Sequence, residues 1–507
     1  MFDKRVIFLP VDERFCTRDY FLLLARAANI EVVTPPKVYL GAKKTPPDIR
    51  RLLRWLEQTV VQGDYLVISI DMLAHGGLIP SRMSLDTLDT LQERLDLLKG
   101  LKERVVKIYA TTTITRTPFY NSSEEEPDYW QYFGLDMYDL SRLLARSFRG
   151  EMVHRSVIEK ISKIPSHFVT DYLVRRIRNR KLVSSVIELV DKGVIDFLNL
   201  VLDDNSKESI SLAESEIHRA RVDSLKIGSR VSIHAGADEA TLSLLASVLS
   251  ESVGETPAFE VRYASPEHKD FIPPYEGSPL YQGIQNHIEA AGGKVVDSGG
   301  EILLLANNPE VGLDSAQQLF APTDSSSYDR FFREIETADS MIKGIADVKY
   351  TNGADNYLVK ELLKRSELNW LETNYSAWNT AGNTLGTVCA HSIVQLLGSK
   401  GLLEVDQSRI KELQAIFFLE HWAFQSNIRK RLLVEAEKRG SKPWTVIPVE
   451  LWAEEFVKSE LIPYIPPVQE ALGIEFEVER LFFPWHRSFE LGLSVVPRAH
   501  HYPQVGS

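Results

Sequence analysis

The chain has 507 residues, of which 44% are apolar and 25% charged, and this predicts a globular protein of two or three domains. Its net charge of −12, from 58 basic and 70 acidic side chains, argues against nucleic acid or an anionic membrane as a partner. Its two cysteines are too few for a thiolate metal cluster or a disulfide framework.

The N-terminal residues show no charged segment followed by an apolar one, which is the pattern of a secretory signal. No apolar run approaches the ~20 residues that span a bilayer. We therefore expect a cytoplasmic protein without a membrane partner. No feature of the sequence marks a subunit interface, so it does not predict the oligomeric state.

Ten apolar runs, most of them followed by a helical pattern, predict buried parallel strands. In chain order they cover residues 6–11, 31–33, 65–70, 106–112, 197–202, 231–234, 259–263, 302–306, 342–348 and 368–375. This alternation predicts an α/β fold with parallel sheets. Two arrangements satisfy it, an eight-stranded (β/α) barrel-like fold or two doubly wound sheets that share a cleft.

The pattern also divides the chain into three parts. Residues 1–250 are predicted to form an N-terminal α/β domain, which a helical insertion interrupts at 118–190. Residues 251–400 form a second α/β part. Residues 401–507 form a helical C-terminal region that ends in a β-rich tail.

Polar side chains follow five of the predicted strands. Ligands of parallel α/β proteins bind at the carboxyl ends of the strands, in barrels and in open sheets alike. We therefore expect the following strand-end residues to contact a ligand: Asp12 and Arg14 after the first strand, Asp71 and His75 after the third, Arg116 after the fourth, Asp203 and Asp204 after the fifth, and Asp238 after the sixth.

The adjacent pair Asp203 and Asp204 is the best candidate for catalysis. Because neighbouring carboxylates repel, one of the two can hold a proton and act as an acid. Glycoside hydrolysis needs such a donor beside a second carboxyl group, and where a 2-acetamido group is the nucleophile, the second carboxylate orients it. Asp238 is a candidate for a further acidic group. The alternative is that Asp203 is a buried hydrogen-bond acceptor and that Asp204 and Asp238 cap helices.

Residues 375–386 form a strand–loop–helix junction that is rich in Asn, Thr and Gly. Helix N-termini carry free backbone N–H groups that attract anions or polar oxygens. Tyr375 and Trp378 offer ring faces for a sugar, and Asn379, Thr380 and Asn383 offer polar groups to bind it. The alternative is a well-capped helix with Thr380 or Asn383 as the N-cap.

Several of these segments together resemble a bacterial family known as domain of unknown function 4127. The matching segments are Leu-Pro-Val-Asp-Glu-Arg at 9–14, Asp-Met-Leu-Ala-His-Gly-Gly-Leu at 71–78, Gly-Ala-Asp-Glu at 236–239, Trp-Asn-Thr-Ala-Gly-Asn-Thr-Leu-Gly at 378–386 and Pro-Trp-His-Arg-Ser-Phe-Glu at 484–490. The resemblance covers nearly the whole chain. It implies no activity.

We therefore predict a hydrolase that acts on a small carbohydrate, namely a glycosidase without a cofactor. One alternative is a phosphate-handling enzyme that depends on Mg²⁺ or Mn²⁺, with Asp12, Asp71 and Asp203 as the metal ligands. However, the chain has no compact metal-ligand motif, so we assign no metal residues. The other alternative is a protein that binds a polar ligand without turnover.

Overall fold

The computed structural model describes residues 4–318, 326–442 and 445–498. The strands in these ranges are β1 (Val6–Leu9), β2 (Val32–Val33), β3 (Asp64–Ser69), β4 (Val105–Ile114), β5 (Phe197–Leu202), β6 (Val231–Ala235), β7 (Ala258–Tyr263), β8 (Lys294–Val296), β9 (Ile302–Asn307), β10 (Leu313–Asp314), β11 (Ile342–Asp347), β12 (Tyr350–Thr351), β13 (Thr373–Ser376), β14 (Phe476–Phe482) and β15 (Gly492–Pro497).

The α-helices of the described ranges alternate with these strands. They are α1 (Tyr20–Ala27), α2 (Ile49–Thr59), α3 (Ile70–His75), α4 (Leu78–Met83), α5 (Leu88–Lys102), α6 (Trp130–Phe148), α7 (His154–Ile161), α8 (Ser166–Asp191), α9 (Ile210–Leu225), α10 (Ala240–Ser252), α11 (Leu280–Ala290), α12 (Ser326–Thr337), α13 (Asn356–Leu363), α14 (Ala381–Ser399), α15 (Gln407–Phe417), α16 (Arg429–Lys438), α17 (Glu450–Leu461) and α18 (Ile465–Leu472).

Eleven of the described strands form two open, parallel sheets. The first sheet has the order β2-β1-β3-β4-β5-β6, and the second has the order β8-β7-β9-β11-β13. In each sheet the earliest strand lies between the second and the third, which is the doubly wound order 2-1-3-4-5. Among the described strands, the two edge strands of each sheet do not pair with each other. The fold therefore has two doubly wound sheets and not a closed barrel.

Helices α10 and α14 separate the two sheets. Helix α10 packs against β3, β4 and β5 of the first sheet, helix α14 packs against β9, β11 and β13 of the second, and the two helices contact each other. Residues 240–250 of α10 and 381–397 of α14 are buried without exception. A helix that is buried on all sides needs small and apolar residues all round, and both sequences supply them.

Further helices cover the face of the first sheet that lies opposite α10. Helices α5, α8 and α9 pack against it, and α2 and α3 lie in the same apolar cluster. The C-terminal part returns to the first sheet, since Glu490 of the tail contacts Arg14 just after β1. In the ranges described, no helix has both the length and the apolar character to cross a bilayer.

The layer between the sheets should carry much of the stability. Leu245 of α10 is fully buried there. We expect Leu245→Ala to lower the free energy of unfolding by about 2–5 kcal/mol, because it removes apolar contacts and leaves a cavity. Leu451→Ala is the matched control, because this side chain is 81% exposed on α17. Urea denaturation checks both, and equal effects of the two substitutions would be incompatible with this packing.

Candidate functional site

Arg14 lies in the turn after β1 and binds three carboxylates. Asp12 closes this turn and accepts hydrogen bonds from the backbone N–H and the side chain of Arg14 at 2.9–3.1 Å. The guanidinium also donates to Asp238 at 2.6 Å and to Glu490 at 2.9 Å. Asp238 accepts a further bond from the amide of Asn379 at 3.3 Å. The fold thus brings Asp12, Arg14, Asp238 and Asn379 together.

A second group lies where β4 and β5 end. Asp203 and Asp204 follow β5 directly, and Arg116 follows β4. Arg82 of α4 donates to Asp203 at 2.6 Å, and Arg116 donates to Asp204. Asp203 also accepts the backbone N–H of Asp204 at 3.0 Å. The two adjacent carboxyl groups therefore have different arginine partners.

Glu125 and Arg487, which lie far apart in the sequence, link these two groups. Glu125, in the loop after β4, accepts hydrogen bonds from Arg116 at 2.9 Å and from Arg487 of the C-terminal tail. Arg487 in turn donates to Glu490 at 2.6 Å, and Glu490 binds Arg14. The result is a continuous chain of alternating charges at the carboxyl edge of the first sheet.

The tail reaches this edge through a strained turn. Trp485 and His486 have φ angles of 56° and 54°, a region that bulky L-residues rarely adopt. The Trp485 ring lies 4.4 Å from the guanidinium carbon of Arg14 and 4.6 Å from that of Arg487, measured to the ring centroid. Strain of this kind persists where surrounding contacts impose it and often marks a functional site.

The arginine–carboxylate network has more acidic than basic groups. It consists of four arginines, Arg14, Arg82, Arg116 and Arg487, and seven carboxyl groups, Asp12, Glu125, Glu126, Asp203, Asp204, Asp238 and Glu490. Burial raises the pKa of Asp238 to about 6 and that of Glu126 above its usual range. Some of these groups can therefore hold protons near neutral pH.

The adjacent carboxyl groups of Asp203 and Asp204 differ in acidity. Burial acts to raise the pKa of both. For Asp203, Arg82 and Arg116 outweigh burial, and the pKa lies below its usual range. For Asp204, burial and the charge of Asp203 outweigh Arg116, and the pKa is raised. The side chain of Asp204 is 34% exposed, whereas that of Asp203 is 9% exposed.

Asp71 and His75, which we expected to contact ligand, are buried behind this edge. Asp71 accepts a hydrogen bond from Thr113 at 2.9 Å, and burial raises its pKa to about 7. Burial lowers the pKa of His75 to about 3, and its charged neighbours Arg178 and Arg94 lie outside the network. This geometry does not favour ligand contact by His75.

Tyr375 and Trp378 offer no free ring face for a sugar. Tyr375 stacks on Phe418 with a centroid distance of 5.1 Å and donates its hydroxyl to Asp347. Trp378 stacks on His421 and donates Nε1–H to Thr387 at 3.1 Å. Both side chains belong to the largest apolar cluster, in which residues of the C-terminal part cover the junction.

The N-terminus of α14 is satisfied by the protein itself. Thr380 is the N-cap and forms a capping box with Asn383, as in the alternative prediction of a well-capped helix. The backbone N–H of Gly382 donates to Glu276 at 2.6 Å. Side-chain oxygens therefore already accept from the N–H groups of Gly382 and Asn383, and this does not favour an anion at this helix end.

A separate group of potential metal ligands lies next to this helix. His234 at the end of β6, Glu239 just before α10 and His287 of α11 place their ligating atoms within 4.8 Å of one another. We call these three residues the His–Glu trio. In the sequence, His234 is only one of several scattered candidate ligands, and no local motif links it or Glu239 to His287, which lies about 50 residues later.

A family model described as "Protein of unknown function (DUF4127)" matches residues 6–494. No curated protein and no solved structure matches the chain. The match covers both sheets, the arginine–carboxylate network and the junction at 375–386.

Proposed function

Because the chain belongs to the DUF4127 family, whose description gives no activity, we propose from the site alone that the protein is a hydrolase of a small carbohydrate, with Asp204 as the proton donor. The observation that carries this proposal is the adjacent pair at the end of β5. Asp204 is partly exposed and has a raised pKa, while Asp203 is buried, ion-paired with Arg82 and has a lowered pKa. A carboxyl group with a raised pKa and a neighbouring one with a lowered pKa supply an acid and an anion at one place.

Asp204 and Asp203 have different roles in the proposed glycoside hydrolysis. Asp204 donates its proton to the leaving oxygen of the scissile bond. Asp203 is held by Arg82 and the Asp204 N–H, so it acts as a fixed anion rather than as an attacking nucleophile. A 2-acetamido sugar suits this division, because its own carbonyl oxygen attacks and the fixed carboxylate orients the amide N–H. Asp238, which is held by Arg14, is assigned to substrate hydroxyl groups.

Aromatic side chains near Asp204 support a sugar as the ligand. Tyr120 accepts a hydrogen bond from Arg116 at 2.6 Å and is 36% exposed. Tyr275 is 49% exposed, has a φ of 66°, and has its pKa raised by burial and by the charge of Asp204. We assign the stacking role to these two rings instead of Tyr375 and Trp378.

The alternative with Mg²⁺ or Mn²⁺ has less support from this edge. Asp12 and Asp203 are bound by Arg14 and Arg82 at 2.9 Å and 2.6 Å. A guanidinium that already neutralises a carboxylate competes with a hard cation for it. Asp71, the third ligand of that hypothesis, accepts a hydrogen bond from Thr113, and burial raises its pKa to about 7.

A panel of nitrophenyl glycosides, with and without a 2-acetamido group, tests the proposal. We expect turnover of at least one 2-acetamido glycoside, with the corresponding glycoside that lacks this group hydrolysed far more slowly. A thermal-shift measurement with the parent sugars runs in parallel. Stabilisation by a sugar without turnover of any glycoside would favour a binding protein instead. The absence of both turnover and stabilisation would contradict the proposed function.

A further inference from the structure

The His–Glu trio combines three buried ligating atoms that lack any other partner. Nε2 of His234, Oε1 of Glu239 and Nδ1 of His287 have no hydrogen-bond partner, and all three side chains are almost completely buried. Buried polar atoms are satisfied with few exceptions, so three orphans at one place require a common explanation. Nδ1 of His287 and Oε1 of Glu239 are 3.7 Å apart, too far for a hydrogen bond.

Neighbouring groups orient the trio so that these atoms face each other. Nδ1–H of His234 donates to the carbonyl of Ala235 at 2.8 Å, which leaves Nε2 as a free lone pair. The same backbone group hydrogen-bonds His287. Asn383 donates to Oε2 of Glu239 and leaves Oε1 free. Metal-binding histidines and carboxylates are held in this way by a second layer of hydrogen bonds.

The charge at this place also differs from that of the arginine–carboxylate network. Within the described residues, neither Glu239 nor its buried neighbour Glu276 forms an ion pair with a lysine or arginine. A bound divalent cation would balance the charge of an ionised Glu239 carboxylate.

Two glycines of the motif at 378–386 make room for the trio. A Cβ on Gly386 would stand 2.4 Å from Cγ of Glu239 and 3.3 Å from Nδ1 of His287. A Cβ on Gly382 would stand 3.0 Å from the Ala235 carbonyl oxygen and 3.1 Å from Nε2 of His287. Together with the bond from Asn383, this gives the motif a role that helix capping alone does not explain.

We propose that His234, Glu239 and His287 bind one divalent transition-metal ion, which fastens β6 of the first sheet to α10 and to α11 of the second half. Two imidazoles and a carboxylate form a ligand set that suits Zn²⁺ and its neighbours rather than Mg²⁺. The orphaned hydroxyl of Ser243, one turn along α10 from Glu239, lies beside the trio and offers a fourth position. The ligand atoms need to close by about 1 Å to bind at 2.0–2.1 Å.

Metal analysis of the wild-type protein is the first test and needs no substrate, so its outcome is independent of the proposed hydrolysis. The protein is purified without a histidine tag, and its metal content is measured by mass spectrometry. We expect about one zinc, iron or manganese ion per chain. After removal with a strong chelator, Zn²⁺ should bind again one to one and raise the Tm by at least ~3 °C.

Variants then locate the ion. We expect His234→Gln, Glu239→Gln and His287→Gln each to lose at least nine-tenths of the bound metal. His391→Gln is the matched control, because His391 is equally buried and also has an orphaned Nε2, but it is not part of the trio. We expect Asn383→Ala to weaken metal binding by about 10–100-fold while the Co²⁺-substituted protein keeps its absorption spectrum.

Variants are compared only as folded protein recovered from size-exclusion chromatography. If the trio variants fail to fold, absorption bands of the Co²⁺-substituted wild type decide whether nitrogen ligands are present. The proposal is overturned if the chelated wild type does not bind Zn²⁺ or Co²⁺ stoichiometrically, if all three variants keep their metal, or if the control loses as much metal as they do.

Discussion

Asp204→Asn is expected to lower kcat by about 10²–10⁴-fold on a substrate whose leaving group needs a proton, because an amide cannot donate one. Asp203→Asn should also lower kcat by at least 10²-fold, because it removes the fixed anion. Asp64→Asn is the matched control. Asp64 is buried like Asp203 and paired with Arg5 at 2.9 Å, but it begins β3 at the opposite edge of the sheet. Initial rates at saturating substrate measure all three.

The pH dependence follows from the directions of the two pKa shifts. Asp204 has to be protonated, so the rate should fall as the pH rises through its raised pKa. Asp203 has to be ionised, so the rate should fall as the pH drops through its lowered pKa. A bell-shaped profile is expected for the wild type. A high residual rate in Asp204→Asn, with both limbs of the bell preserved, would show that another group donates the proton.

Arg14→Met is expected to destabilise the protein by about 3–5 kcal/mol, because it leaves buried carboxylates without their cation. Arg14 is the shared partner of Asp12, Asp238 and Glu490, and among the described residues only Glu490 retains a second arginine. Arg155→Met is the matched control. Its ion pair with Glu159 is exposed at the surface, so its loss should cost less than about 1 kcal/mol.

Lowering the pH should partly restore the stability of the Arg14→Met variant. Arg14 holds down the pKa of Asp238, which burial has already raised, so without the arginine this pKa should rise further above its unfolded value. Such groups stabilise the fold below the unfolded pKa, and this contribution is lost as the pH increases. The deficit relative to wild type should therefore be larger at pH 8 than at pH 5 in urea denaturation. A deficit that does not change with pH would mean that lost packing, not charge, is responsible.

Most strands of the two sheets could be predicted from the sequence, because they are apolar runs that no other element explains. The nine runs that became β1 to β7, β9 and β11 were located within a few residues. Strand β8, at Lys294–Val296, was missed because it is short and largely exposed. The run at 368–375 was placed too early, since only Thr373–Ser376 pairs with β11. The leucines before it pack against the core without pairing.

The site was only partly visible in the sequence. Because parallel strands of one sheet end at one edge, the sequence could predict that the following residues lie near each other, although their contact with a ligand stays a prediction: Asp12, Arg14, Arg116, Asp203, Asp204 and Asp238. Glu125 and Glu490 could not, since an insertion and the C-terminal tail deliver them across more than 300 residues. Tyr375 and Trp378 were misassigned to the ligand, because a sequence does not show which aromatic rings the later helices cover.

The leaving-group dependence of Asp204→Asn tests the central claim most directly. One substrate carries a sugar or alkyl leaving group, which needs a proton to depart, and the other carries dinitrophenolate, which does not. If Asp204 is the acid, kcat/KM of the variant should fall by at least 10²-fold on the first substrate and by less than about 10-fold on the second. Equal losses on both substrates would contradict the assignment of Asp204 as the proton donor.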